Sequence, residues 1–88
     1  MNHPLPLRGI RVIEYSHMVM GPSCGLIFAD LGAEVIKVEP APQGDNGRRL
    51  KGAGAGFFVG FNRNKKSFMV DLNSAQGLEA VRKLVTTA

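Results

Sequence analysis

The sequence predicts an α/β fold built on a parallel sheet, in the order strand–helix–strand–loop–strand–helix. Three observations predict it. The stretch IFADLGAEVIKVEP, Ile27 to Pro40, joins an apolar helix to a β-branched run through one glycine. Leu26, Ile27, Ala29 and Leu31 give the apolar helical face, and Gly32 is the glycine that commonly stops a helix just past its C-terminus. An apolar strand precedes that unit, and a further strand and amphipathic helix follow it. Strand–helix–strand units build parallel sheets, which bind ligands outside the carboxyl ends of their strands.

Residues 1–8 are a proline-containing lead-in, and Gly9 precedes a first strand over Ile10–Tyr15, with Ile10, Val12, Ile13 and Tyr15 as sheet formers. Glu14 stands either on an exposed face or at the strand's functional end, and the exposed face is the favoured placement. Ser16–Met20 form the loop at the strand's carboxyl end. Gly21-Pro22 then opens the helix, because proline at the first helical position lacks an N–H that would be unpaired there. The first free amides of this helix point back at the loop with a partial positive charge behind them. Val35, Ile36 and Val38 predict a second strand covered on both faces.

Pro40–Phe57 changes in composition, and its prolines and glycines mark a loop. GAGAG within it fails the dinucleotide fingerprint, since position 57 is phenylalanine and no strand leads directly into it. FFVGFN, 57–62, reads as a short helix or a turn that buries its phenylalanines. SFMVDL, 67–72, is the third strand. Asn73, with Gln76 three residues on, predicts a capping box for a last helix. Leu78, Val81, Leu84 and Val85 share one face of it, and it is expected to run to Ala88. Three strands and two helices are too few to cover both faces of a parallel sheet, so more chain or a partner is expected to complete the core.

The chain has 88 residues, 44% hydrophobic and 20% charged, so it is one small domain and not compositionally disordered. The net charge of +4 suits phosphates, nucleic acid or anionic lipid without choosing among them. One cysteine, Cys24, excludes an internal disulfide and fits a reducing compartment. No apolar run reaches the roughly 18 residues that span a membrane, and MNHPLPLRGIR does not read as a secretory signal. The expected location is the cytoplasm.

Between Asn46 and Val70 stand Arg48, Arg49, Lys51, Arg63, Lys65 and Lys66, and no acid. The plain reading of such a run is a solvated face, and the alternative is a phosphate-binding rim. Asn62-Arg63-Asn64-Lys65 favours the rim, because two amides and two cations precede a strand and asparagines suit tight turns and hydrogen bonds to adenosine. Nucleic acid is the competing ligand. Few aromatic residues, no tryptophan and no matching nucleic-acid module count against it. His17 is read on spacing as a structural or solvent-facing histidine, and His3 as part of the ragged start. No metal site is spaced out. Cys24 is expected to be a buried, inert thiol. Ser16 and Ser23 have no nucleophile-elbow context.

LRGIRVIEYSHMVMGPSC, FADLGAEVIKVEP, Gly44-Asp45, FNRNKKS and MVDLNSAQGLEAVRKL, in this order and spacing, resemble the N-terminal segment of the family III CoA-transferases, over nearly all 88 residues. The resemblance implies a Rossmann-like domain of which residues 1–88 are the N-terminal, CoA-binding part. It implies coenzyme A or an acyl-CoA as substrate, with no covalently bound cofactor, and a carboxylic acid as the other partner. Full-length members interlock as a homodimer and transfer CoA through acyl anhydrides on an aspartate that lies beyond residue 88. Asp30, Asp45 and Asp71 do not match that aspartate, so the chain alone is expected to be inactive. An α-methylacyl-CoA racemase of the same family, and a non-catalytic truncated chain, are the alternatives. Carried over residue by residue, the resemblance gives His17, Val19 and Met20 as CoA contacts before the Gly21-Pro22 pair. It gives Asn62, Arg63, Asn64 and Lys65 as the nucleotide rim. Formyl-CoA transferase-like members have a glutamine where this chain has Val19, which counts against formyl or oxalyl substrates. An arginine that can follow the second strand is Pro40 here, so that contact is lost or comes from a neighbour.

Overall fold

The structure, a computed structural model, describes residues 5–17, 19–54 and 56–88. The expectations for His3 and the rest of residues 1–4, and for Met18 and Ala55 within their loops, lie outside the described residues. Three parallel strands, β1 (Arg11–Glu14), β2 (Glu34–Pro40) and β3 (Lys66–Val70), form one sheet in the order β1-β2-β3. Helix α1 (Met20–Asp30) links β1 to β2. A loop with two short 3-10 turns, 46–49 and 52–54, leads to α2 (Phe57–Asn62) and so to β3, and α3 (Ala75–Val85) follows. The expected order of elements is the observed one, with strand ends moved by one or two residues. Residues 57–62 form the helix of the two forms expected, with Phe57, Phe58 and Phe61 half-buried.

Gly32 ends α1 as expected. Its φ of +107° is open to glycine at little cost. Its N–H donates to Ala29 O at 3.0 Å and that of Ala33 to Phe28 O at 3.1 Å, the paired bonds of a Schellman turn. The turn aims the chain straight into β2, where Val35, Ile36 and Val38 are buried. Asn64, at φ 65°, makes the tight turn between α2 and β3.

The buried face of α1 differs from the expected one. Pro22, Gly25 and Ala29 face the sheet, whereas Ile27 is 60% and Leu31 40% exposed. Cys24, expected to be buried, is exposed for the same reason. Helical rotation places the small residues inward because charged side chains already fill the space beneath the helix. Pro22 is the third helical residue rather than the first, still within the turn whose N–H groups lack partners. In α3 the cap is Ser74, whose Oγ accepts from Gly77 N–H at 2.9 Å, and the expected Asn73–Gln76 box is not formed. Asn73 N–H instead donates to Asp71 Oδ1. The helix ends at Val85, three residues before Ala88.

The apolar core is thin. Ala29, Ala33 and Val35 form its centre, with Leu7 and Val12 packed against them. The molecule measures 44 × 37 × 17 Å, a slab whose short axis leaves little depth for apolar packing. Alternation along β2 sends Val35, Lys37 and Glu39 toward the α1 side. Two of those three are charged, and both are buried.

Candidate functional site

The charges beneath α1 form one connected group. Parallel pairing puts Glu14 of β1 beside Lys37 of β2, and Ser67 of β3 on the other side of Lys37. Lys37 Nζ meets Glu14 Oε2 at 2.9 Å, Asp45 Oδ2 at 2.8 Å and the carbonyl of Ser16 at 2.9 Å. Lys65 Nζ meets Glu14 Oε1 at 2.7 Å, Asn62 Oδ1 at 2.8 Å and the carbonyl of Pro22 at 2.9 Å. Each ammonium thus makes two hydrogen bonds and one further ion pair with a carboxylate oxygen. Burial raises the Glu14 carboxyl, but donors from Lys65, Lys37 and Ser16 outweigh it and hold the group below its ordinary value. Burial lowers the Lys65 ammonium against the opposing pull of Glu14.

Glu14 is thus buried at the functional end of β1, not on the exposed face favoured from sequence. Apolar neighbours at 10, 12, 13 and 15 gave no hint of the lysines that arrive from residues 37 and 65. Gly25 completes the arrangement. A Cβ there would stand 1.8 Å from Glu14 Oε1, so only glycine lets the α1 backbone pass this close.

A second ionic cluster holds the loop after β2. Arg48 grips Glu39 with two parallel bonds of 2.8 Å, and its guanidinium lies 3.9 Å above the Phe58 ring. Asp45 N–H donates to Glu39 Oε1 at 2.8 Å, and Ser67 Oγ donates to Glu39 Oε2. The Arg48 guanidinium outweighs burial, with help from the Asp45 amide and Ser67, and brings the Glu39 carboxyl down to about 2.

Five of the six cations of residues 46–70, all but Lys65, are exposed, and four of the six are paired with acids. Arg48, Arg63, Lys65 and Lys66 meet Glu39, Asp30, Glu14 and Glu34, all from the first half of the chain. These four are counter-charges of carboxylates placed by β1, α1 and β2.

Above the first ionic group lies a cleft of about 190 Å3, lined by Tyr15, Ser16, His17, Val38, Pro40, Asp45 and Asn46. It opens at the carboxyl ends of β1 and β2, where the topology predicts a ligand. His17 is an exposed residue of its lining. Val19 is the N-terminal cap of α1 and makes no capping hydrogen bond through its side chain. Met20 opens the helix and is exposed, and no acidic residue occupies the first turn.

The two groups of expected contacts do not form one rim. His17, Val19 and Met20 stand at the carboxyl end of β1. Asn62–Lys65 precede the amino end of β3 and dock on α1. Asn64 Nδ2 donates to Ala29 O at 3.2 Å, and Arg63 pairs with Asp30 at 3.0 Å, both at the C-terminal end of the helix. Asn62 donates to Phe58 O and accepts from Lys65. Lys65 reaches under the helix to Glu14. The sequence reading singled out neither Lys37 nor Glu39, and it took Arg48 only as part of the basic run and Asp45 only as a non-matching aspartate. The available signal was the K-V-E alternation within a strand read as buried on both faces.

Among the described residues no group of histidine, cysteine and carboxylate side chains could hold a metal ion. No helix there is long and apolar enough to cross a membrane.

Known proteins resemble this chain in sequence and fold. The sequence is 45% identical over 87 residues to succinyl-CoA–D-citramalate CoA-transferase of Chloroflexus aurantiacus, covering 93% of this chain and 21% of that one. It is 39% identical over 97 residues to succinate–glutarate CoA-transferase of Agrobacterium fabrum, covering 99% and 24%. The crystal structure of Rv3272 from Mycobacterium tuberculosis superposes with a TM-score of 0.91 at 42% identity, over 99% of this chain and 24% of that one. The chain thus spans about a quarter or less of the length of these relatives. The profile of CoA-transferase family III matches residues 7–88, and the chain belongs to that family.

Proposed function

We propose that this chain is the CoA-handling portion of an acyl-CoA:carboxylate CoA-transferase, and that coenzyme A or an acyl-CoA enters the cleft above Lys37. The observation that carries the reading is the cleft itself. It lies at the carboxyl ends of two parallel strands, beside the uncapped amino end of α1, and Tyr15, Ser16 and His17 form one of its walls. His17, Val19 and Met20 are the contacts on that side. Asn62, Arg63, Asn64 and Lys65 act from behind, by fixing the α2–β3 turn against α1 and by holding Glu14. A carboxylic acid is the second substrate, and the exposed apolar side chains of α1 (Ile27, Phe28 and Leu31) are surface for further chain or a second copy to cover.

The aspartate chemistry is not carried by residues 1–88 in this reading. Asp30 faces Arg63, Asp45 is held by Lys37 and the Gly47 amide, and Asp71 accepts from Asn73 N–H. None is free to form an acyl anhydride. The same engagement favours a second reading, a chain that binds CoA without catalysis.

Titrating the purified chain with CoA while following backbone amide resonances tests the reading. Saturable shifts are expected at residues 16–20 and 45–46, with no CoA exchange between acyl-CoAs and carboxylates above a blank. No saturable binding at millimolar CoA, or shifts confined to other residues, overturns the cleft assignment. Exchange by the chain alone overturns the placement of the chemistry elsewhere.

A further inference from the structure

We propose that Lys37 is the positioning residue of the cleft, a buried pin that holds its two walls at a fixed separation. Lys37 does not line the cleft, and its side chain is only 2% exposed. Its ammonium reaches three different segments, two by hydrogen bonds and the third, Asp45, by an ion pair. Glu14 is the end of β1, Ser16 O belongs to the loop that carries His17, and Asp45 belongs to the opposite wall with Asn46. Ser16 and Asp45 themselves line the cleft.

Both walls are secured a second time. Ser16 Oγ donates to Glu14 Oε2 at 2.7 Å, so the Ser16 wall is tied to Lys37 directly and through Glu14. Asp45 N–H donates to Glu39 Oε1, and Asp45 Oδ1 accepts from Gly47 N–H at 2.7 Å, so the opposite wall is a short, fully bonded turn. The walls share Lys37 as their common partner, and Lys37 sits on the central strand. A displacement of one wall is therefore passed to the other through a single ammonium group. The ligand that gains is one that must touch both walls at once, as an extended, multiply polar molecule does.

The proposal rests on the reading of the cleft as a CoA site only for its effect on affinity. The coupling of the walls is measured without ligand. Amide hydrogen exchange on the free chain is compared for the parent, Asp45→Asn, Lys37→Met and the double variant. Asp45→Asn cuts one arm of the pin and leaves the Glu14–Lys37 pair in place. It is expected to speed exchange about tenfold or more across the cleft at Ser16 and His17, as well as at Asn46, since a charge-assisted hydrogen bond contributes about 1.5–3 kcal/mol. Lys37→Met is expected to do so at both walls, and the double variant to do no more than Lys37→Met. Effects of Asp45→Asn confined to its own wall, or additive effects in the double variant, overturn the proposal. If Lys37→Met loses the protection of the β1–β2 ladder, it has unfolded, and Asp45→Asn alone decides. In CoA titrations, an intact Asp45→Asn variant is expected to bind about tenfold more weakly than the parent. Parent binding with an unchanged Asp45→Asn affinity overturns the positioning role, whereas no binding by the parent overturns the cleft assignment and leaves the exchange result to judge the pin.

Discussion

Alanine in place of Gly25 should invert the usual helix rule. In an exposed helix interior this change stabilises by about 1 kcal/mol, because glycine loses more backbone freedom on folding. In α1 the added Cβ would stand 1.8 Å from Glu14 Oε1 and 3.2 Å from Lys65 Nζ, against the 3.4 Å at which ordinary contact begins. The carboxylate has to retreat by about 1.6 Å, the difference between those two distances. That takes it out of hydrogen-bonding range of Lys65, now 2.7 Å away. Loss of one charge-assisted bond costs about 1.5–3 kcal/mol. Set against the helix gain, the net effect is a loss of about 0.5–2 kcal/mol. Gly60 in α2 is the control, because a Cβ there meets nothing within 4 Å. Gly60→Ala is expected to be neutral or stabilising by up to about 1 kcal/mol. Urea unfolding followed by far-UV circular dichroism reads both, and the midpoints should move in opposite directions. A Gly25→Ala chain at least as stable as the parent would refute the reasoning, since Glu14 would then have a second place to go.

Two further expectations concern a helix start and acid. Ser74→Ala removes the side-chain acceptor for Gly77 N–H and should cost about 1 kcal/mol, seen as a lower urea midpoint and faster amide exchange in the first turn of α3. Because the Glu39 carboxyl lies at about 2 in the folded chain instead of its ordinary 4.5, the folded state resists its protonation. The resulting stabilisation, at most about 3 kcal/mol, is complete above pH 4.5 and is lost as pH falls toward 2. Arg48→Met should shrink that acid dependence, and a pH titration of the unfolding midpoint compares the two chains.

What could be read from the sequence was backbone: the strand–helix–strand unit and the stop at Gly32. These depend on neighbours in the chain, through helix capping and β-branching, whereas the turn at Asn64 was not placed from the sequence and the asparagines there were read as part of a rim. What could not be read depends on partners far away. Glu14 looked exposed because nothing near residue 14 offers it a cation, and Lys65 looked free because nothing near residue 65 offers it an acid. Each is the other's partner across the sheet. Cys24, Ile27 and Leu31 were misplaced for a related reason. The rule that large apolar residues face inward holds only when the space below is apolar, and here it holds Glu14 and the two lysines. The site was half legible. The resemblance picked out His17, Val19 and Met20, and His17 lines the cleft. It also gave Asn62–Lys65 as a nucleotide rim, and these residues dock on α1 and Glu14.

The group of Glu14, Lys37, Asp45 and Lys65 has a consequence for the order in which this chain can be assembled. Two carboxylates stand against two ammoniums, so the interior is neutral only with all four present. A chain that has emerged as far as β2 and its loop contains both acids and one lysine, and closing α1 over them would enclose a net negative charge. Enclosing an uncompensated charge is costly enough to oppose that closure. The last member arrives only with the turn before β3. The first strand–helix–strand unit, which looks self-sufficient on paper, therefore lacks one of the charges that its own burial calls for. That charge is supplied by residue 65, from beyond the unit.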